Sequence, residues 1–181
     1  MLPSDIATRI RAGDARAFEL VFRTYYQPLC KFAFRFVRDS AAAEDLVQDV
    51  FSAVWTKRAT MEIKTSVRAY LYSAVRNRGL NLRRHEAIAD DWDRDESIDD
   101  VRELHPPPRQ PDAVLDRKLL EARLAAAFDA LPERAATALR LRWQDELSYA
   151  EIAEAMDISV KGVEKLLWRG LRALREHLSS G

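Results

Sequence analysis

Residues Leu147 to Leu174 read LSYAEIAEAMDISVKGVEKLLWRGLRAL, two amphipathic segments separated only by Asp157 and Ile158. Ser148-Tyr149-Ala150-Glu151 has the spacing of a capping box, in which the Ser hydroxyl and the Glu carboxylate satisfy the first free amides of a helix. Ile152, Ala153 and Met156 follow on the apolar side, and Ser159 stands where it can cap a second helix. So short a turn forces the two axes to cross closely. The small Ala153 permits the approach, while Ile158, Val163 and Leu166 or Leu167 fill the angle. These spacings match a helix-turn-helix. Many such turns place Gly where Asp157 stands, because that residue takes a positive φ, which Asp tolerates better than most.

On the second helix Val163, Leu167, Gly170, Leu171, Leu174 and Leu178 are expected to face inward, and Lys161, Lys165, Trp168, Arg169, Arg172 and Arg175 outward. Cations for phosphates and long donors for base edges are what a helix in the major groove requires. The alternative is a solvated basic face on an ordinary three-helix domain. Upstream, the periodicity predicts helices over Leu115 to Ala130 and over roughly Glu133 to Trp143, the latter with Ala136, Leu139 and Leu141 to Trp143 partly buried.

The chain has 181 residues, 48% of them apolar, with only five Gly and few alternating apolar runs; this favours an all-α protein. Net charge is zero, yet it is segregated: residues 1–90 carry 15 Lys or Arg against 10 Asp or Glu, residues 91–116 carry 3 against 9, and residues 117–181 carry 11 against 10. An acidic middle thus balances basic flanks, and local fields outweigh the sum. Asp90 to Asp112 is acidic and holds Pro106, Pro107, Pro108 and Pro111, so it reads as a linker. The expected layout is a helical domain over residues 10–90, a linker over 91–112 and a second helical domain over 113–181.

In the first domain Ala17 to Val37 predicts an aromatic-rich helix, kinked or interrupted at Pro28. Asp39 or Ser40 can cap the next, in which Leu46, Val47, Val50, Phe51, Val54 and Trp55 share one face. Glu44, Asp45, Gln48 and Asp49 form an acidic face, either solvated surface or a protein interface. A third helix begins near Thr65 or Ser66. Val67, Leu71, Ala74, Val75 and Leu82 fall on one side, Tyr70, Asn77, Asn81 and Arg84 on a second, and Tyr72, Arg76 and Arg83 on a third. Rings that stack, amides that bond base edges and guanidinium groups that hold phosphates suit single-stranded nucleic acid. Tyrosines packed at a core boundary give the alternative reading.

Other functional classes find little support. Cys30 is alone, so no internal disulfide is expected and a small buried apolar role is. His85, His105 and His177 lack metal-ligand spacing, and no Gly-rich phosphate loop or nucleophile constellation is present, so no enzyme is expected. The N-terminus lacks a signal-peptide core, and no run reaches membrane-spanning length; a protein of the reducing cytoplasm, without membrane insertion, is the expectation.

AEDLVQDVFSAVW, VRAYLYSAVRNRGLNLRRH and LSYAEIAEAMDISVKGVEKLLWRGLRAL, in this order and spacing, resemble bacterial sigma factors of the extracytoplasmic-function group, which keep the second and fourth conserved regions of larger sigma factors. SVKGVEK resembles the iron-uptake-type subgroup, which usually has Thr at the Gly162 position. The resemblance spans about residues 10–90 and 113–178. It implies that Glu44, Asp45, Gln48 and Asp49 dock on the clamp helices of the largest subunit of core RNA polymerase. Tyr70, Tyr72, Arg76, Asn77, Asn81, Arg83 and Arg84 would open and hold the −10 strand, with Asn77 in a base pocket and Tyr70 where Trp is commoner. Ser159, Lys161, Lys165, Trp168, Arg169 and Arg172 would read the −35 duplex, and their domain would also dock on the polymerase flap. It further implies an anti-sigma factor as inhibitory partner, no cofactor, and a linker that either mimics nucleic acid in the polymerase channel or stays a solvated spacer. The rival is a conventional helix-turn-helix regulator, which needs a dimer element or ligand pocket that the sequence does not display.

Overall fold

The computed structural model describes residues 5–92, 125–128 and 130–179, with side chains up to residue 84 in the first stretch. Among them every regular element is helical. The order is α1 (Ile6–Arg11), α2 (Ala15–Val37), α3 (Ser40–Thr56), a 3-10 turn (Arg58–Thr60), α4 (Val67–Trp92), α5 (Glu133–Trp143), α6 (Tyr149–Met156) and α7 (Val160–Ser179). Residues 125–128 are also helical. The expected linker and most of the expected Leu115–Ala130 helix lie outside the described residues, save that α4 continues to Trp92.

Local signals set the ends of the elements. Asp14 accepts from the Arg16 and Ala17 amides at the start of α2, and Asp39 accepts from the Ala42 amide at the start of α3. Those amides, with Arg9, hold the Asp14 carboxyl below its usual range. The Ser66 hydroxyl accepts from the Ala69 amide and opens α4. Of the two expected effects of Pro28, interruption does not occur: α2 runs on through it from Ala15 to Val37. Buried side chains before and after it, Val21, Leu29 and Phe32, fasten the helix on both sides of the missing N–H.

The N-terminal half packs α2, α3 and α4 around Leu29, Phe32, Phe36, Leu46, Val50, Leu71 and Val75. Phe18, Phe22, Phe51 and Trp55 form an aromatic cluster beside it, with centroids 4.8 to 6.0 Å apart. In the C-terminal half α5, α6 and α7 bury Leu139, Leu141, Ile152, Met156, Val163 and Leu167. Gly170 lets α7 approach Leu139 closely: a Cβ there would lie 2.7 Å from Leu139 Cδ1. The two halves are in contact, with α6 lying against α4.

Four side chains depart from the expected burial. Leu171 is exposed because the step of about 100° from the buried Gly170 turns it away from α5. Leu82 is exposed while Leu80 packs on the core, and Trp143, expected to be partly buried, lies open at the end of α5. Tyr72, expected on a nucleic-acid face, is 1% exposed. The reason is that α4 has two covered sides rather than one: Leu71 meets the core, and Tyr72 meets both Phe32 and the C-terminal half.

Candidate nucleic-acid interface

The first candidate surface is α7. Its approach is set by α6, where the Ser148–Glu151 capping box is complete, and by Asp157, whose φ of 52° reverses the chain. The Ser159 hydroxyl then accepts from the Gly162 amide at 3.1 Å. Lys161, Lys165, Trp168, Arg169 and Arg172 are all exposed along one side of the helix. Arg172 lies over the Trp168 ring at 5.0 Å, which orients both groups outward. A cleft of about 550 Å³ between α5 and α7 is lined by Arg134, Lys165 and Arg169, so Arg134, which the periodicity did not single out, extends the basic stripe. This arrangement can hold duplex phosphates and offer long donors to base edges.

The second surface is α4. Asn77, Asn81 and Arg84 are exposed, and Tyr70 is half-buried against the core. This side is open to a strand. The third side faces the C-terminal half, which buries Tyr72 while Arg83 stays exposed. The Tyr72 hydroxyl donates to Asp145 Oδ1 at 2.9 Å, and Arg83 makes a two-pronged pair with Glu133. Arg76 is half-buried near Arg134, and burial followed by that second cation lowers its pKa. Tyr72 therefore cannot stack on a base in this arrangement: its ring lies against Phe32 and its hydroxyl is occupied.

The third surface is the acidic side of α3. Glu44, Asp45, Gln48 and Asp49 are all exposed, while Leu46, Val47 and Val50 point inward, as the helical period requires. Asp49 reaches Arg78 of α4 at 3.1 Å, and the Gln48 amide donates to the Tyr26 hydroxyl at 3.4 Å. The face is exposed, negative and tethered at one edge.

Arg68, passed over in the sequence, and Glu151, read there only as a capping residue, meet at the contact between the halves. Arg68 donates through Nε and Nη2 to the two oxygens of Glu151, at 3.1 and 2.5 Å, and the Ser66 hydroxyl donates to the same carboxylate at 2.7 Å. The helical spacing of Arg68, Tyr72 and Arg76 was a usable signal for Arg68. Glu151 carried none beyond its capping role.

Burial alone would raise the Glu151 carboxyl, but Arg68, the Ser148 amide and the Ser66 hydroxyl outweigh it and hold it down to about 2. A carboxyl depressed in the folded chain contributes stability above its unfolded value, and that contribution is lost as pH falls through the folded one. Stability on the order of 3 kcal/mol is therefore expected to disappear between roughly pH 4.5 and pH 2 through this group. Urea midpoints measured across that window test this, and Glu151→Gln should flatten the response.

Comparison with known proteins places these surfaces in a family. The sigma-70 region 2 model matches residues 21–87, and a sigma-70 region 4 model matches residues 121–174. The RNA polymerase sigma-H factor of Pseudomonas aeruginosa is 28% identical, over 96% of this chain and 92% of its own length. The extracytoplasmic-function sigma factor SigX of Bacillus subtilis is 29% identical, over 89% and 83%. The chain belongs to the extracytoplasmic-function group of the sigma-70 family. Its fold is shared with CnrH, solved in complex with the cytosolic domain of CnrY (TM-score 0.65, 22% identity, 97% of this chain and 96% of that one). It is shared too with RpoE of Bartonella quintana, solved with the anti-sigma factor NepR (TM-score 0.64, 22% identity, 90% and 96%). In this sigma-family chain α2 to α4 fall within the region 2 match, apart from their outer ends, and α5 and α6 within region 4. Among the described residues no helix is long and apolar enough to cross a membrane, and no group of three or more potential metal ligands occurs.

Proposed function

We propose that this protein is an alternative sigma factor that binds core RNA polymerase and directs promoter-specific initiation, reading the −35 element as duplex with α7 and holding the opened −10 strand on α4. One observation carries the reading: a single chain holds both sigma regions and presents on them an open basic helix and an open Asn/Arg face. Domain limits of 10–90 and 113–181, with an acidic linker over 91–112, fit this division. The exposed acidic side of α3 supports a role in docking on the polymerase clamp helices, and RpoE crystallised with NepR supports an anti-sigma partner. Cytoplasmic residence, with nucleoid association when active, follows from the proposed role, and no covalent chemistry by the chain is invoked. Placement in the iron-uptake-type subgroup rests on Ser159 to Lys165. Gly162 stands there in place of Thr, and a Cβ at that position meets nothing closer than 3.4 Å.

The −10 assignment is proposed for Tyr70, Asn77, Asn81 and Arg84 on the open side, and for Arg76 and Arg83 only once the halves separate. The direct test is run-off transcription with purified core polymerase and a promoter mapped after overexpression. Lys165→Ala is expected to weaken promoter binding about tenfold through lost duplex contacts. Asn77→Ala should leave duplex binding intact and reduce strand opening, and Asp45→Lys with Asp49→Lys should reduce capture by core polymerase. Absence of promoter-specific initiation by the parent protein would point instead to an ordinary regulator.

A further inference from the structure

The C-terminal half is electrically two-sided. Lys161, Lys165, Arg169 and Arg172 lie along the exposed side of α7, whereas Glu133, Asp145, Glu151 and Glu154 make contacts with the N-terminal half. Glu154 accepts from the Thr65 amide at 2.9 Å, Glu151 takes Ser66 and Arg68, Asp145 takes Tyr72, and Glu133 takes Arg83. Four acidic side chains therefore follow α4 and the segment leading into it, from residue 65 to residue 83. Among these contacts the Glu151 site is the most built. Its carboxylate is held by a two-pronged guanidinium and a hydroxyl, the chemistry that also holds a phosphodiester. Glu151 is 7% exposed, and among the described residues it is the buried charged group.

We propose that Arg68 and Ser66 form a phosphate-binding site for the opened DNA strand, and that Glu151 occupies it as an internal stand-in, holding the two halves closed until the strand displaces it. This rests on the sigma-factor reading above and names a regulation of the same α4 surface. The two states are mutually exclusive, because one guanidinium face cannot serve a carboxylate and a phosphate at once. Closure also engages the Tyr72 hydroxyl and the Arg83 guanidinium, through Asp145 and Glu133. Strand binding and domain separation are then linked, and each favours the other by the same factor.

Glu151→Gln isolates the effect, since Gln can still fill the capping position after Ser148 while losing the charge that engages Arg68. The full chain is titrated with a fluorescein-labelled single strand of mixed sequence and followed by anisotropy, with small-angle scattering reporting the separation of the halves. Glu151→Gln is expected to expand the particle and to bind the strand roughly five- to tenfold more tightly, because closure no longer competes. Arg68→Ala is expected to expand it equally without that gain, since the phosphate holder is gone. Expansion of Glu151→Gln with unchanged strand affinity overturns the phosphate site, and no expansion in either variant overturns the lock.

Should Glu151→Gln fold poorly by circular dichroism, a second form decides. Thr65→Cys and Glu154→Cys, combined with Cys30→Ser, are bridged by a short bis-maleimide. The bridged protein should bind the strand several-fold more weakly than the same protein unbridged, and equal affinities would refute the proposal. If the parent protein drives promoter-specific initiation while these differences fail to appear, the sigma reading stands and only this inference falls.

Discussion

Gly79→Val is expected to destabilise the N-terminal half by about 3 kcal/mol, measured as a lowered urea midpoint with helix content retained at low denaturant. An ideal Cβ at position 79 would lie 2.7 Å from Phe36 Cγ, 2.8 Å from its Cβ and 2.9 Å from its Cδ2. These are the root of the Phe36 side chain, not its flexible end, so relief requires α2 and α4 to move apart. Phe36 in turn meets Phe32 edge-on at 5.3 Å, and Phe32 meets Tyr72 at 5.0 Å, so displacement passes along a chain of rings. Gly79→Ala is a milder case. Ala gains about 1 kcal/mol of helix propensity, which offsets part of the clash and leaves a loss on the order of 1 kcal/mol. Gly162→Ala is the control. It has room for its methyl group and should stabilise α7 by up to about 1 kcal/mol.

Glu151→Ala is expected to cost about 3 kcal/mol, the lower end of the range for breaking a buried pair, because the Arg68 side chain keeps 27% exposure and can rehydrate in part. Lost capping of α6 adds to this, at about 1 kcal/mol. The arithmetic separates from a simple packing loss in a double-mutant cycle. Arg68→Met with Glu151→Met should be less damaging than the sum of the two single changes, since no unpaired charge is left at the contact. A sum that is simply additive would mean that the pair carries no coupling, whatever its geometry.

Much of this architecture could be read from residue spacing. Glu133–Trp143, the Ser148 capping box, the left-handed Asp157 and the Ser159 cap emerged where the local chemistry put them, because each depends on neighbours within four positions. The open stripe of α7 and the acidic side of α3 were legible for the same reason. Tyr72 was not. Helical periodicity reports which sides of α4 are apolar, but Tyr72, Arg76 and Arg83 make a polar side, and nothing in their own helix tells whether solvent, a strand or another domain covers it. The partner that decides is Asp145, 73 positions away. Glu151 was hidden differently: its capping role explained it so well locally that a second role left no trace. Leu171 was misplaced because it adjoins the buried Gly170 yet is turned about 100° away from it, and Trp143 because an apolar residue at the last position of a helix is judged by a partner that has already run out.

The doubly covered α4 constrains how the family member's sequence can drift. A helix with one buried side leaves the remainder of its positions nearly neutral, but α4 has a core side, an open Asn/Arg side and a side matched to another domain. Position 68 is tied to 151, position 72 to 145 and position 83 to 133, across 83, 73 and 50 residues of chain. At the buried contacts, 68 with 151 and 72 with 145, a substitution is expected to be costly unless its partner changes too, so exchanging one half for that of a relative is expected to disturb the other.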